Sequence, residues 1–167
     1  MALRVALDAN VLIAGTAFPR WPYEVLRHAA KGDYVLVLSP IVIREARRRI
    51  AERFPGYEGQ FQDFLDLVDY EEAPLPDEEE VARNRDLVRQ KEDVPVALSV
   101  IAAEVDYFVT YDRDFTDEDK TTEKVHAAIP GILLPPVFLR DVMGWTSEEL
   151  EEIRGRNWRD LEEGDIP

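Results

Sequence analysis

The amino-acid sequence predicts an α/β fold with a mostly parallel sheet. Short, continuously apolar segments begin at residues 5, 34 and 107, without the alternation of a strand that has one wet face. Continuous apolar runs of this kind are typical of parallel strands that are covered on both sides. Helical segments separate these runs, as the right-handed crossovers of a parallel sheet require. The 167 residues suit one domain, because domains usually contain about 100–200 residues.

The first strand and the helix at residues 21–31 have clear local signals. The strand covers residues 5–7, which are apolar throughout. The helix has Pro22 in its first turn and Gly32 directly after its end. Proline suits a first turn because its N–H is not needed there, and glycine readily adopts the backbone conformation that ends a helix.

The second strand leads directly into a second helix. Residues 34–40 contain the apolar run, and Ser39 is the expected N-cap of the helix that Pro40 begins. This helix is expected to continue to about residue 54, because a Pro-Gly pair follows it.

The middle of the chain is more polar, and its elements are predicted from shorter patterns. Asp93 is the expected N-cap of a largely apolar helix over residues 94–104. Before it, the sequence predicts a helix over 61–67, a weaker edge strand over 68–72 and a charged helix over 77–90.

The last third contains two further strands and a tail. A strand is predicted over 107–112, a short one over 132–136, and a closing helical turn over 137–143. Thr146 begins a capping signal for an acidic C-terminal helix. We therefore expect one domain over residues 1–143 and an acidic, helical tail over 144–167.

Composition limits the class of protein. The net charge of −15 argues against tight nucleic-acid binding by the chain as a whole, because phosphates are also negative. The charge is uneven, however: residues 69–80 carry seven acids and no base, while five arginines lie within 44–53. The chain has no cysteine, no apolar run of about 20 residues and no signal peptide at its start, so we expect a cytoplasmic protein without membrane contact.

Carboxylates from distant parts of the chain are directed to one edge of the predicted sheet. Parallel strands all end at the same edge, where the crossover helices begin, and ligands bind in the crevice there. The acids that follow strands or begin helices at this edge are Asp8, Glu45, Asp93, Asp112 and Asp114.

A cluster of carboxylates without a cation is unfavourable, because like charges and burial both disfavour ionisation. A divalent cation removes that penalty, and oxygen ligands of this kind suit Mg²⁺ or Mn²⁺. Asn10 and Thr110 are expected to hold the ligands through uncharged hydrogen bonds. Each acid also has a simpler explanation: Asp8 begins a turn, Asp93 caps a helix, Glu45 is a solvated helix residue, and Asp112 and Asp114 belong to a turn rich in aspartate.

At these residues the sequence resembles the PIN-domain family of metal-dependent ribonucleases, and particularly its toxin branch. The segments "LDANVLIAG", "LSPIVIREARRRI", "EDVPVALSVIAAEVDYFVTYDRDF" and "GILLPPVFLRDV" match the family's motifs in order. The resemblance covers about residues 3–143 and implies a three-layer α/β/α sandwich whose five-stranded sheet has the first strand at its centre. It implies that the catalytic metal ligands are Asp8, Glu45, Asp93 and Asp112. It also implies that Asp114 is an additional metal ligand.

The resemblance also implies an activity and partners. The expected reaction is hydrolysis of RNA phosphodiester bonds with Mg²⁺ or Mn²⁺, leaving 5′-phosphate and 3′-hydroxyl ends. The expected partners are a cognate antitoxin and further copies of the chain in a homodimer or larger homo-oligomer. Arg44, Arg47 and Arg48 flank Glu45 and are candidates for RNA phosphate contacts, although a solvated basic helix face explains them equally well.

Other interpretations stay open at this point. Base stacking and ordinary packing both account for Trp21, Tyr23 and Tyr111. One rival class is a doubly wound phosphoryl-transfer or signalling domain. A phosphate-accepting receiver of this class needs a lysine after its last strand, and the sequence has none there. A phosphatase of the haloacid-dehalogenase type needs an aspartate at position 10, where the sequence has Asn10. The other rival is a non-catalytic module whose acids bind a cation or a partner's arginine.

Overall fold

The computed structural model describes residues 2–161, and its centre is a five-stranded parallel sheet. The strands are β1 (Arg4–Leu7), β2 (Val35–Leu38), β3 (Glu71–Glu72), β4 (Tyr107–Val109) and β5 (Gly131–Leu133). Their order across the sheet is β3-β2-β1-β4-β5, and every neighbouring pair is parallel. The predicted fold class, an α/β/α sandwich with β1 at the centre, is confirmed.

Helices connect the strands and bury both faces of the sheet. Those before the middle of the chain are α1 (Ala9–Ala17), α2 (Trp21–Ala30), α3 (Pro40–Arg53), α4 (Glu58–Leu67) and α5 (Glu78–Arg83). Those after it are α6 (Val94–Ala102), α7 (Arg113–Thr116), α8 (Glu123–Ala128), α9 (Pro135–Asp141) and α10 (Ser147–Glu152). Single 3-10 turns occupy Pro55–Tyr57, Lys91–Asp93 and Trp158–Asp160.

The strongest local signals are confirmed. Ser39 caps α3, its hydroxyl accepting from the N–H of Ile41 at 3.3 Å, and Pro40 is the first helical residue. Thr146 forms a capping box with Glu149 at the start of α10. Each of these signals lies within four residues of the helix end that it specifies, so no distant contact is needed to satisfy it.

The charged helix predicted over 77–90 is wrong in its length, because α5 ends at Arg83. The Asn84 amide bonds back to the Glu80 carbonyl at 2.7 Å, and the chain then turns. This turn buries Leu87 and Val88. Burial of these two apolar residues outweighs the helix propensity of an exposed, charged segment.

The last two strands are shorter than predicted. The strand over 107–112 ends at Val109, because Asp112 is the N-cap of α7, its carboxylate accepting from the Asp114 N–H at 2.9 Å. The strand over 132–136 ends at Leu133, because Pro135 already begins α9. The helix α1 was not assigned from the sequence, since its apolar residues show no helical periodicity.

The chain after residue 144 packs on the α1–α2 side of the domain. The Trp21 indole donates to the Leu150 carbonyl at 2.9 Å, and the Trp158 indole donates to the Ala17 carbonyl at 3.0 Å. The Trp158 ring also meets the Tyr23 ring edge-on, with centroids 5.2 Å apart. The end of the expected tail, residues 162–167, lies outside the described residues. No helix among residues 2–161 is long and apolar enough to cross a membrane.

Candidate metal centre

The site is built on the two central strands. Leu7 of β1 pairs with Val109 of β4, so the residues that follow, Asp8 and Thr110, lie side by side at the carboxyl edge of the sheet. The Asp8 N–H donates to the Val109 carbonyl at 3.0 Å. Both side chains are buried, at 7% and 0% exposure. The parallel register therefore places a carboxylate and a hydroxyl in contact across 102 residues of sequence.

A hydrogen-bond network fixes the Asp8 carboxylate. One oxygen accepts from the Ala9 N–H at 2.8 Å, and the other accepts from the Thr110 hydroxyl at 2.7 Å and the Asn10 amide at 3.3 Å. The Asn10 oxygen accepts in turn from the Tyr111 N–H at 3.1 Å. Asn10 and Thr110 thus have the orienting hydrogen bonds that were expected of them.

Three other aspartates come together beside this network. Ligand atoms of Asp93, Asp112 and Asp114 all lie within 4.8 Å of one another, and all three side chains are partly buried. The Asp112 N–H donates to the Thr110 hydroxyl at 2.9 Å, which links this cluster to Asp8. Asp93 occupies the N-cap position of α6, but its side chain makes no capping hydrogen bond. Its carboxylate is therefore directed to the cluster and not to the helix.

The pKa values of two of the acids at this edge are raised, first by burial and then by neighbouring negative charges. Burial, and secondarily the charges of Asp112 and Glu45, raises the pKa of Asp8 from 3.8 to about 6, despite the opposing hydrogen bonds. Burial and the charges of Asp112, Asp8 and Asp114 raise the pKa of Asp93 to about 7. A shift in this direction means that the ionised carboxylates are disfavoured without a counter-charge, which a bound cation would supply.

Glu45, like Asp8, lies outside the 4.8 Å group of Asp93, Asp112 and Asp114. It lies on α3, and its carboxylate accepts from the Arg49 guanidinium one turn later, at 3.0 Å. It is close enough to contribute to the raised pKa of Asp8, yet it is not part of the 4.8 Å group. Glu45 therefore faces the site without joining the tight cluster.

Sequence reasoning missed Arg89, which contacts the cluster directly. Its guanidinium binds the Asp114 carboxylate at 3.0 Å, the Asp117 carboxylate at 3.0 Å and the Asp119 carboxylate at 3.8 Å. No local signal distinguishes Arg89, because the surrounding residues predict a charged helix. Only the turn after α5 brings it to the segment that carries Asp114.

The arginines proposed for RNA differ in their contacts. Arg47 donates to the Gln62 side chain at 2.7 Å, and Arg48 pairs with Glu52 at 3.4 Å. Arg44 is exposed and forms no ion pair within residues 2–161. Among the aromatic candidates, the packing interpretation fits Trp21 and Tyr23, both of which contact the C-terminal segment. Tyr111 is 38% exposed beside the site.

The donor set fits a hard divalent cation. The cluster offers carboxylate oxygens only, without nitrogen or sulfur ligands, which is the chemistry that Mg²⁺ and Mn²⁺ prefer. Asp8 and Asp93 hold their protons into the neutral range in the absence of a cation. Binding a cation would release those protons and remove the repulsion.

These observations define the class of protein. It is a parallel α/β domain with an acidic centre at the carboxyl ends of its two central strands. No protein-family model matches the chain, and no curated protein matches it either. A solved structure, PAE2754 from Pyrobaculum aerophilum, aligns with a TM-score of 0.55 and 19% identity over 87% of this chain and 92% of that chain. This likeness shows that the two chains share a fold.

A second solved structure shows a weaker likeness. VapBC2 from Rickettsia felis, bound to a DNA fragment from its promoter, aligns with a TM-score of 0.48 and 20% identity. The alignment covers 79% of this chain and 97% of that chain.

Proposed function

We propose that this protein is a metal-dependent ribonuclease of the PIN type. The observation that carries the proposal is the grouping of Asp93, Asp112 and Asp114 within 4.8 Å beside the buried Asp8. These acids come from three separate segments of the chain. A fold does not by itself define a function, so the proposal depends on this centre and on its match to the family's motifs.

The residues have distinct roles in this proposal. Asp93, Asp112 and Asp114 hold the cation, with Asp8 and Glu45 completing the negative charge around it. Bound Mg²⁺ or Mn²⁺ supplies Lewis-acid activation of water and neutralises the charge that develops on a phosphodiester.

The surrounding groups keep the acids in a productive arrangement. The Thr110 hydroxyl donates to Asp8 and accepts from the Asp112 N–H, so one side chain sets the spacing of two carboxylates. Asn10 adds a bond to Asp8 and ties the Tyr111 backbone to β1. Ligands fixed in this way lose little freedom when the cation binds.

We further propose that the protein is the toxin of a toxin–antitoxin pair and assembles as a homo-oligomer. The order of the motifs supports this part of the proposal. The non-catalytic alternative retains the same acids as a cation-binding or partner-binding site. It is less well supported, because a site without catalysis has no need for a complete set of acids.

The test is cleavage of a mixed RNA panel with Mg²⁺, with Mn²⁺ and with EDTA. We expect cleavage with either cation, no cleavage with EDTA, and a loss of at least 100-fold in Asp8→Asn. Asp69→Asn is the matched control, because Asp69 is exposed and remote from the centre in sequence and fold. Its activity should equal that of the wild type.

Calorimetry with Mn²⁺ separates the alternatives. Cation binding without cleavage of any RNA would contradict the ribonuclease proposal and support the cation-binding module. No binding and no cleavage would contradict both. Equal cleavage by Asp8→Asn and the wild type would place the chemistry elsewhere in the protein.

A further inference from the structure

An open groove of about 480 Å³ lies between α3, α5 and the 3-10 turn that precedes α6. Its accessible apolar surface comes from Ile41 on α3, Val81 on α5 and Pro95 in the first turn of α6. Ligand sites commonly have volumes of about 300–1,000 Å³, so the groove is large enough for a small organic group.

The groove adjoins the acidic centre through two elements. The turn Lys91–Asp93 places Lys91 in the groove and Asp93 in the carboxylate cluster, two residues apart. Helix α3 places Ile41 in the groove and Glu45 one turn further along the same face. A ligand in the groove therefore lies next to any phosphodiester bound at the acidic centre.

Two cations that line the groove are not engaged elsewhere. Neither Arg85 nor Lys91 forms an ion pair or a side-chain hydrogen bond within residues 2–161. Arg44, three residues after Ile41 on α3, is exposed and likewise forms no ion pair there. Most other arginines near the site are bound to acids, as Arg89 is to Asp114. Arg85 and Lys91 balance the two acids that also line the groove, so the groove lacks the negative charge of the chain as a whole.

Two acids at the groove restrict where an anion can lie. Asp77 and Glu78 line the groove at the start of α5, and the Asp77 carboxylate accepts from the Glu80 N–H at 2.8 Å. Their charge repels a phosphate from that end. Because Arg85 and Lys91 attract a phosphate, it is favoured at the part of the groove that these two residues line.

We propose that this groove binds one nucleotide of single-stranded RNA beside the scissile phosphate. The base packs against Ile41, Val81 and Pro95, and the phosphate contacts Arg85 and Lys91. The inference depends on the proposed ribonuclease function and extends it to the path of the substrate. The phosphate-binding residues then differ from Arg47 and Arg48 of the sequence-based expectation.

The experiment measures binding of a fluorescein-labelled, 12-nucleotide single-stranded RNA by anisotropy in EDTA, at several salt concentrations. The variants are Arg85→Gln, Lys91→Gln and the double variant, with Arg83→Gln as the matched control. Arg83 lies on α5 close to the groove but does not line it. Calorimetry with Mn²⁺ on each variant reports whether the acidic centre is intact.

We expect the double variant to bind the RNA at least 10-fold more weakly. The slope of log affinity against log salt should decrease by about one to two, since one or two phosphate contacts are removed. Mn²⁺ affinity should stay within about 3-fold of the wild type. Arg83→Gln should match the wild type in both assays.

Equal RNA affinity and salt slope in the double variant and Arg83→Gln would overturn the assignment. Displacement of the RNA by poly-glutamate at the same charge concentration would overturn the base-binding part, because an acidic protein segment would then fit equally well. Failure of the wild type to bind both Mn²⁺ and RNA would remove the proposed function and the groove together. If the wild type binds Mn²⁺ and cleaves RNA while the double variant does so equally well, only the groove assignment fails.

Discussion

The Asp8 carboxylate destabilises the cation-free protein, and Asp8→Asn should reveal this. Burial raises the pKa of Asp8 from 3.8 to about 6. The folded state therefore binds this proton more tightly than the unfolded state does. The stability that the group contributes is fully present below pH 3.8 and is lost as the pH rises through 6. Replacing the carboxyl by a neutral amide removes that pH-dependent penalty.

The magnitude follows from the shift and from the hydrogen bonds. A displacement of about two pKa units at about 1.4 kcal/mol each is about 3 kcal/mol at pH 8. Asparagine has one acceptor oxygen, so it cannot accept from the Ala9 N–H, the Thr110 hydroxyl and the Asn10 amide together. That mismatch costs about 1–1.5 kcal/mol. Asp8→Asn is therefore expected to be about 1.5–2 kcal/mol more stable at pH 8 and about 1 kcal/mol less stable near pH 3.5.

The assay is urea unfolding in EDTA, followed by tryptophan fluorescence, at pH 3.5 and pH 8. Asp69→Asn should show the same small effect at both pH values, because Asp69 is exposed. Mg²⁺ at about 100 times its dissociation constant should stabilise the wild type by about 2.7 kcal/mol at pH 8 and so reverse the order of the two proteins. A stability difference between Asp8→Asn and wild type that is the same at both pH values would refute the reasoning.

Two further predictions test the site and the packing that supports it. The affinity for Mn²⁺, measured by calorimetry, should fall about 100-fold from pH 8 to pH 5.5. The pKa values of Asp8 and Asp93 are about 6 and about 7, and both protons must leave before the cation binds. An affinity that did not change with pH would contradict the assigned ligands. Gly15→Ala should lower the free energy of unfolding by about 1–2 kcal/mol, since its methyl group would lie 2.7 Å from a leucine of α2. Gly59 is also helical, but it has open space around it, so Gly59→Ala should raise the free energy of unfolding by about 0.5–1 kcal/mol. If the two variants changed the stability equally in thermal denaturation, the predicted clash at Gly15 would be wrong.

Signals that act over a few residues were sufficient to predict most of the fold. The apolar runs before Asp8 and Thr110 correctly indicated buried parallel strands, and the Ser39-Pro40 pair correctly indicated the start of α3. The edge-of-sheet argument also anticipated that acids after β1 and β4 would lie close to each other. It could not show that β1 and β4 are neighbours, which depended on the resemblance and is observed in the register of Leu7 with Val109.

Features that arise from distant contacts could not be predicted in this way. The turn at residues 84–90 forms because Leu87 and Val88 are buried, while a local pattern indicates only a charged helix. That turn determines the position of Arg89 and of the cations in the groove. Asp93 differs from these residues, because the sequence places it both at the start of a helix and at this edge of the sheet; its side chain lies in the carboxylate cluster and makes no capping hydrogen bond.

The distribution of ion pairs bears on how a chain with a net charge of −15 would bind the RNA substrate that we propose. Net charge controls the long-range field, which is screened beyond about 8 Å at physiological ionic strength, so contacts within a groove depend on local charge. Arg47, Arg48 and Arg89 are engaged within the protein. Arg85 and Lys91 form no ion pair within residues 2–161, so under the groove proposal they attract RNA beside the place where cleavage is proposed. Because the net charge repels RNA, its association with the protein should be slow and salt-dependent. Once bound, the strand would lie with its phosphate at Arg85 and Lys91, beside the acidic centre.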